Sequence, residues 1–234
     1  MLFNLFFNGE LSEVPDALTL RTETYTMLLI GIVALSFVFI AFSRMSNSKS
    51  LQTVIGVFFM GYSIDQELKE NMRLNSISSI LLFFNYIVSF SLCVFIFLNR
   101  IVLFDVNWSF LFSFSIPLLF FVLETLGLFM VGWITGEQKS INSSVAITIT
   151  GYHFTGLLLS VLSIFWIMNP DFNKLFLGIF ISILCLKYMS RFLKNSAAVL
   201  SSGVSWYYLI LYFCTLEILP LFIVYYYGLK DFLK

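Results

Sequence analysis

Charge is scarce in this sequence: 11% of its 234 residues are Asp, Glu, Lys or Arg, against about 25% in an ordinary soluble domain. Histidine occurs once, cysteine three times and proline four times. A chain this poor in charge cannot clothe a globular surface in hydrated groups, which excludes a secreted or cytosolic enzyme. The 13 basic residues balance the 13 acidic ones, so no basic surplus favours nucleic acid. Cys93, Cys185 and Cys214 lie in separate apolar runs, giving neither a disulfide framework nor a CxxC knuckle. With a single histidine and no cysteine ligand spacing, no zinc or haem site is expected, and no cofactor. The P-loop, the GxSxG elbow, HExxH and the Gly-rich dinucleotide turn are all missing, so no catalytic residue is expected. An internal repeat, the usual sign of a large-family secondary transporter, is missing too.

Apolar residues fill the space that charge leaves. They make up 59% of the chain, and aromatic residues 19%, with 29 Phe. A helix needs about 20 mainly apolar residues to cross the hydrocarbon of a bilayer. Six stretches meet that need, at about 25–43, 78–98, 109–134, 145–168, 175–193 and 205–228. The expected fold is an all-α polytopic bundle, in which an N-terminal segment (1–24) precedes one transmembrane domain (25–234). In the fourth stretch VAITITGYHFTG is rich in Thr and Gly, which allows an irregular or broken start before LLLSVLSIFWIM restores strong hydropathy. The first 24 residues begin apolar but have no basic n-region and no small-residue cleavage site, so a signal peptide is not expected.

Orientation follows from the loops that hold Lys and Arg. With the N-terminus outside, Arg44, Lys49, Lys69, Arg73, Lys139, Lys187, Arg191 and Lys194 fall inside, and Arg21, Arg100, Lys174, Lys230 and Lys234 fall outside. That bias places both termini on the external face. The long connection after the first span carries Leu51, Val54, Ile55, Phe58, Phe59 and Tyr62, the spacing of one helix face over about 50–73. The amphipathic helix either docks a partner or lipid head groups at the cytoplasmic surface, or packs as a linker on its own bundle.

Ionisable groups inside spans are costly, and so are the first candidates for a site. Here they are Glu124, His153, Lys187, Arg191 and Glu217. At about 1.5 Å of rise per residue, Glu124, His153, Lys187 and Glu217 reach similar depths toward the inner face. Lys187, Arg191 and Lys194 recur at i, i+4, i+7 and form one basic stripe. Arg191 and Lys194 can snorkel to head groups, whereas Lys187 is deeper and is expected to face Glu217 or Glu124. Three roles remain open for this cluster: a register-fixing ion pair, a proton or ion relay, and an anchor for a substrate or lipid. Pro220, in LEILP, frees the carbonyl of Leu216 beside Glu217, and Pro117 frees that of Ser113. Kinks are expected at both, a feature that transporters use and that ordinary spans also tolerate. His153, beside Thr150, Tyr152 and Thr155, reads more readily as an interhelical hydrogen-bonding residue than as a ligand. Ser144, Thr148, Gly151 and Thr155 form a small-residue stripe suited to close helix approach.

The C-terminal WYYLILYFCTLEILPLFIVYYYGLK, with the basic LKYMSRFLKNSAAVLSSGVSWYY overlapping its start, resembles the closing segment of an uncharacterised family of small polytopic bacterial envelope proteins. The resemblance extends over most of the chain, and its most recognisable residues are Tyr212, Glu217, Pro220 and Lys230. It implies a bacterial inner membrane and carries no activity that could be transferred. The expected partners are therefore the lipid bilayer and other membrane proteins of an envelope complex such as a secretion machinery, which the chain would serve as an accessory, assembly or scaffold subunit. The competing expectation is a small proton- or ion-coupled transporter or channel built on Glu124, Glu217 and Lys187.

Overall fold

The computed structural model describes residues 19–60, 76–100, 106–135 and 138–201. Among these the chain is all helical: α1 (Thr19–Ser46), α2 (Ser50–Met60), α3 (Ile77–Arg100), α4 (Val106–Thr135), α5 (Gln138–Met168) and α6 (Asn173–Ser201), with a single 3-10 turn (Pro170–Phe172) before α6. Five of the helices are long and apolar enough to cross a membrane, over Thr26–Ser46, Ile77–Asn99, Ser109–Met130, Ser144–Met168 and Pro170–Arg191. The protein is a multi-pass helical membrane bundle. The sixth expected span, 205–228, lies outside the described residues, as do residues 1–18 of the N-terminal segment and 61–75 of the long connection.

Local chemistry sets the helix ends. At the α1–α2 corner, Asn47 donates its backbone N–H to the Ser43 carbonyl at 3.1 Å and accepts the Lys49 N–H on its side-chain oxygen, also at 3.1 Å. Three residues thereby connect the two helices. Ser76 caps α3, its hydroxyl accepting the Ser79 N–H at 3.3 Å, so that one of the orphan donors of the first turn is satisfied. At the α5–α6 corner, Pro170 opens the 3-10 turn, and the Trp166 indole N–H donates to the Asn173 side-chain oxygen at 2.9 Å. That bond ties the end of α5 to the start of α6.

α3 and α5 form the centre and are mostly buried, while α1, α4 and α6 flank them and keep wide apolar faces outward. In water those outward faces would be an aggregation hazard; against lipid they are the expected surface. The central contact is closest at Gly156 of α5, where a Cβ would lie 2.7 Å from the Tyr86 Cα of α3. Glycine is required at that crossing because the two backbones meet there. Gly151, the glycine of the small-residue stripe, has open space around the corresponding position, so the close approach falls one turn and a residue further along the helix.

α5 is regular throughout, and the irregular start allowed by its Thr- and Gly-rich sequence does not occur. Thr148, Thr150 and Thr155 turn their hydroxyls back onto the carbonyls of Ser144, Ala146 and Gly151 at 2.8–2.9 Å. The polar residues thus satisfy themselves inside their own helix. α4 likewise continues through Pro117.

The amphipathic segment forms a helix over Ser50–Met60. Val54 and Phe58 are buried on the bundle, with Leu51 partly buried beside them. The Phe58 ring stacks on Phe154 of α5 at a centroid distance of 3.8 Å. Ile55 is exposed; Phe59 lies in the same helix, and Tyr62 falls outside the described residues.

Candidate functional site

Three helices bring their polar side chains together near the end of the bundle that carries α2. Glu124 of α4 sits six residues before the end of its span, and it is buried. Its Oε2 lies 2.7 Å from Nη1 of Arg191, and its Oε1 lies 3.6 Å from Nζ of Lys187, both on α6. The Tyr152 hydroxyl of α5 donates to Oε2 of the same carboxylate. Tyr188 hydrogen-bonds it as well. The spacing of Lys187 and Arg191 at i, i+4 is what lets one helix face present two cations to one carboxylate.

Aromatic rings enclose the ammonium of Lys187. Its Nζ stands 3.8 Å from the Tyr152 ring centroid, 5.0 Å from that of Tyr188 and 5.7 Å from that of Tyr86. Ring quadrupoles stabilise a cation that has left water. α4 and α6 themselves barely touch through their backbones, whereas both lie against α5. The carboxylate and its cations therefore bridge two peripheral helices across the central one.

Lys194 continues the basic stripe beyond the end of the span and does a different job. Its ammonium donates to the Val57 and Phe58 carbonyls at 2.9 and 2.8 Å, and it stands 4.9 Å from the Phe58 ring centroid. These are the carbonyls of the last turn of α2, where a cation also meets the negative end of the helix dipole. Partial burial pulls the Lys194 pKa below the ordinary lysine range, and the two carbonyl acceptors act in the opposite direction by favouring the charged form.

His153 is next to Tyr152 in sequence but does not join the Glu124 cluster. Successive helical residues point about 100° apart, and the imidazole turns toward α3, where its Nε2 lies 3.4 Å from the Ser79 hydroxyl oxygen. Glu217 and Pro220 lie outside the described residues, as do Tyr212 and Lys230. Of the sequence candidates, Glu124, Lys187 and Arg191 meet, His153 stands apart, and Pro117 is buried in the interior of α4.

Composition and spacing missed the tyrosines. Tyr86, Tyr152 and Tyr188 complete the surroundings of Lys187; Tyr86 sits in an apolar run that reads as plain core, whereas Tyr152 and Tyr188 stand among polar residues. Tyr188 could have been found from its position beside Lys187, and Tyr152 from its place one residue before the only histidine. Among the described residues, no group of three His, Cys, Asp or Glu could hold a metal ion. A carboxylate engaged by two cations is likewise a poor metal ligand.

The family model described as a domain of unknown function, DUF4271, matches residues 29–227, and the chain belongs to that family. No curated protein and no solved structure matches it.

Proposed function

We propose that this DUF4271 chain is an accessory, assembly or scaffold subunit of a bacterial envelope complex, such as a secretion machinery, in the inner membrane with both termini outside. The observation that supports a structural role is the state of Glu124, which has a cation within ion-pair distance of each oxygen and a tyrosine hydroxyl donating to it. A carboxylate that binds and releases a transported cation or proton needs an open ligand position. Here Oε2 is taken by Arg191 and the Tyr152 hydroxyl, and Oε1, which has no hydrogen bond among the described residues, faces the Lys187 ammonium at 3.6 Å, an arrangement that fits a pair fixing the register of α4 against α6. The rival reading, a proton- or ion-coupled transporter in which Glu124 and Glu217 bind the ion with Lys187 as counter-charge, has less support for the same reason.

The test is retrieval of the tagged chain from native membranes in mild detergent, with the stoichiometry of every retained protein measured by mass spectrometry. A specific partner at a near-integer ratio is expected. A clean monomer or homo-oligomer would sink the subunit reading, and flux assays on Glu124→Gln and Glu217→Gln would then examine the transport reading directly.

A further inference from the structure

Beside the Glu124 cluster, and separate from it, a small crevice lies where the α1–α2 corner meets α3 and α5. Asn47, Ser50, Thr53, Ser78, Ser79 and His153 supply its polar lining, with Val54 and Leu82 as the apolar part. Asn47 and Thr53 are half-exposed, whereas Ser50, Ser78, Ser79 and His153 are buried. The lining is unusual for a membrane span because it concentrates hydroxyls, an amide and an imidazole in one place without any charge.

The hydrogen bonds of this lining do not close on themselves. Ser43 donates to the Ser78 carbonyl at 3.2 Å, and its hydroxyl meets that of Ser50 at 3.5 Å. The imidazole of His153 meets the Ser79 hydroxyl through Nε2, and its Nδ1 is buried without a hydrogen-bond partner among the described residues. Either tautomer leaves Nδ1 unmet: protonated it is a donor without an acceptor, deprotonated an acceptor without a donor. A buried group left in that state costs about 1–3 kcal/mol. The crevice has room for about one water molecule, and its polar groups can offer that water the two to four partners it needs.

We propose that the crevice is a water site that solvates His153 from the α2 side of the membrane, so that the single imidazole of the chain exchanges protons with that aqueous compartment and not with the opposite one. The second half of the statement rests on the seal beyond the histidine. One turn further along α5, Gly156 presses against the Tyr86 backbone so closely that a Cβ would lie 2.7 Å from its Cα. Leu159, in the same apolar cluster as Tyr86, is fully buried. That contact leaves no room for water between α3 and α5 at this level, and the half-exposed Asn47 and Thr53 mark the mouth of the crevice. The inference is independent of the role given to Glu124.

The single histidine makes the test direct. The full-length chain, labelled with 15N in histidine and reconstituted in lipid vesicles, gives the ring signals of one residue, and magnetisation transfer from water to its ring nitrogens reads hydration. Transfer is expected in the unmodified protein, with a several-fold drop in Thr53→Leu, which fills the mouth without touching the imidazole. Absence of transfer in the unmodified protein would overturn the proposal, as would full transfer in a folded Thr53→Leu variant. Sidedness is read separately in sealed vesicles by lowering the pH of one compartment at a time and following the ring signals of His153. A response to the α2 side alone is expected, and an equal response to both sides, a response to the opposite side, or none to either refutes one-sided access.

Discussion

Replacing Glu124 by Gln keeps the size of the side chain and one hydrogen-bond acceptor but removes the charge that two buried cations share. At an effective dielectric of about 20, separations of 2.7 and 3.6 Å correspond to attractions of about 6 and about 5 kcal/mol. Desolvation of the three ions offsets most of this in the intact protein, so the sum is not the contribution of the cluster to stability. The variant keeps the desolvation cost of Lys187 and Arg191, which are 3% and 4% exposed, and loses the compensation. The expected loss is about 3–5 kcal/mol, the range for a buried pair broken by removal of one partner. Arg191→Gln should cost less, because Lys187 still faces the carboxylate, and Tyr152→Phe less again, because only one hydrogen bond is lost. Reversible unfolding in mixed micelles, followed by tryptophan fluorescence, measures all three. A loss below about 1 kcal/mol in Glu124→Gln, as expected for a solvent-exposed pair, would refute the claim that this cluster holds the bundle in register.

The two glycines of α5 give a paired prediction: Gly156→Ala should destabilise by at least about 2 kcal/mol, because backbone rather than a side-chain tip stands in the way. Gly151→Ala should be neutral or stabilise by up to about 1 kcal/mol, since its surroundings are open and alanine favours the helix. Phe58→Ala should cost about 3–5 kcal/mol through the cavity left against Phe154, read in the same unfolding assay. Lys194→Met should remove two bonds to the last carbonyls of α2 and speed amide hydrogen exchange over residues 50–60 while leaving α3 and α5 protected. If exchange in α2 were unchanged, the capping role of Lys194 would be wrong.

The spans were legible because bilayer thickness imposes one length on every crossing helix, and the described spans at Ile77–Asn99 and Ser144–Met168 fall within a residue of the hydropathy reading. The amphipathic period at Leu51, Val54 and Phe58 was legible for the same kind of reason, since a helix with an apolar stripe must bury it somewhere. Where it is buried was not legible: the stripe alone fits a partner groove or the chain's own bundle equally, and Phe58 finds Phe154 through tertiary placement. Depth along each helix put Glu124, Lys187 and His153 in one slab, but depth says nothing about rotation. About 100° between neighbours is enough to send Tyr152 to the carboxylate and His153 to Ser79. The same limit explains why Gly151 rather than Gly156 stood out in the sequence. Small residues at intervals of three and four mark a face, and only the partner helix decides which of them is crossed.

The placement of the polar groups also says why a bundle of this composition needs an ionic cluster at all. Outside water, apolar packing between helices has no hydrophobic drive behind it, because lipid chains are as apolar as the facing side chains. α3 and α5 solve this by close backbone approach at Gly156, and α1 is joined near its end by the Ser43 bond to the Ser78 carbonyl. α4 and α6 have no such crossing with each other, and each presents large apolar side chains outward over most of its length, Leu, Phe and Met on α4 and Leu, Ile and Met on α6. Their relative rotation would be poorly specified by apolar contact alone. A carboxylate on one and two cations on the other, meeting over the Tyr152 hydroxyl, allow few rotations, because any other orientation leaves charge in hydrocarbon. The cluster therefore acts more strongly against the wrong arrangements than in favour of the right one. For that reason replacing all three ions together by apolar residues of similar volume should cost less stability than Glu124→Gln alone, while loosening the orientation of α6 against α4.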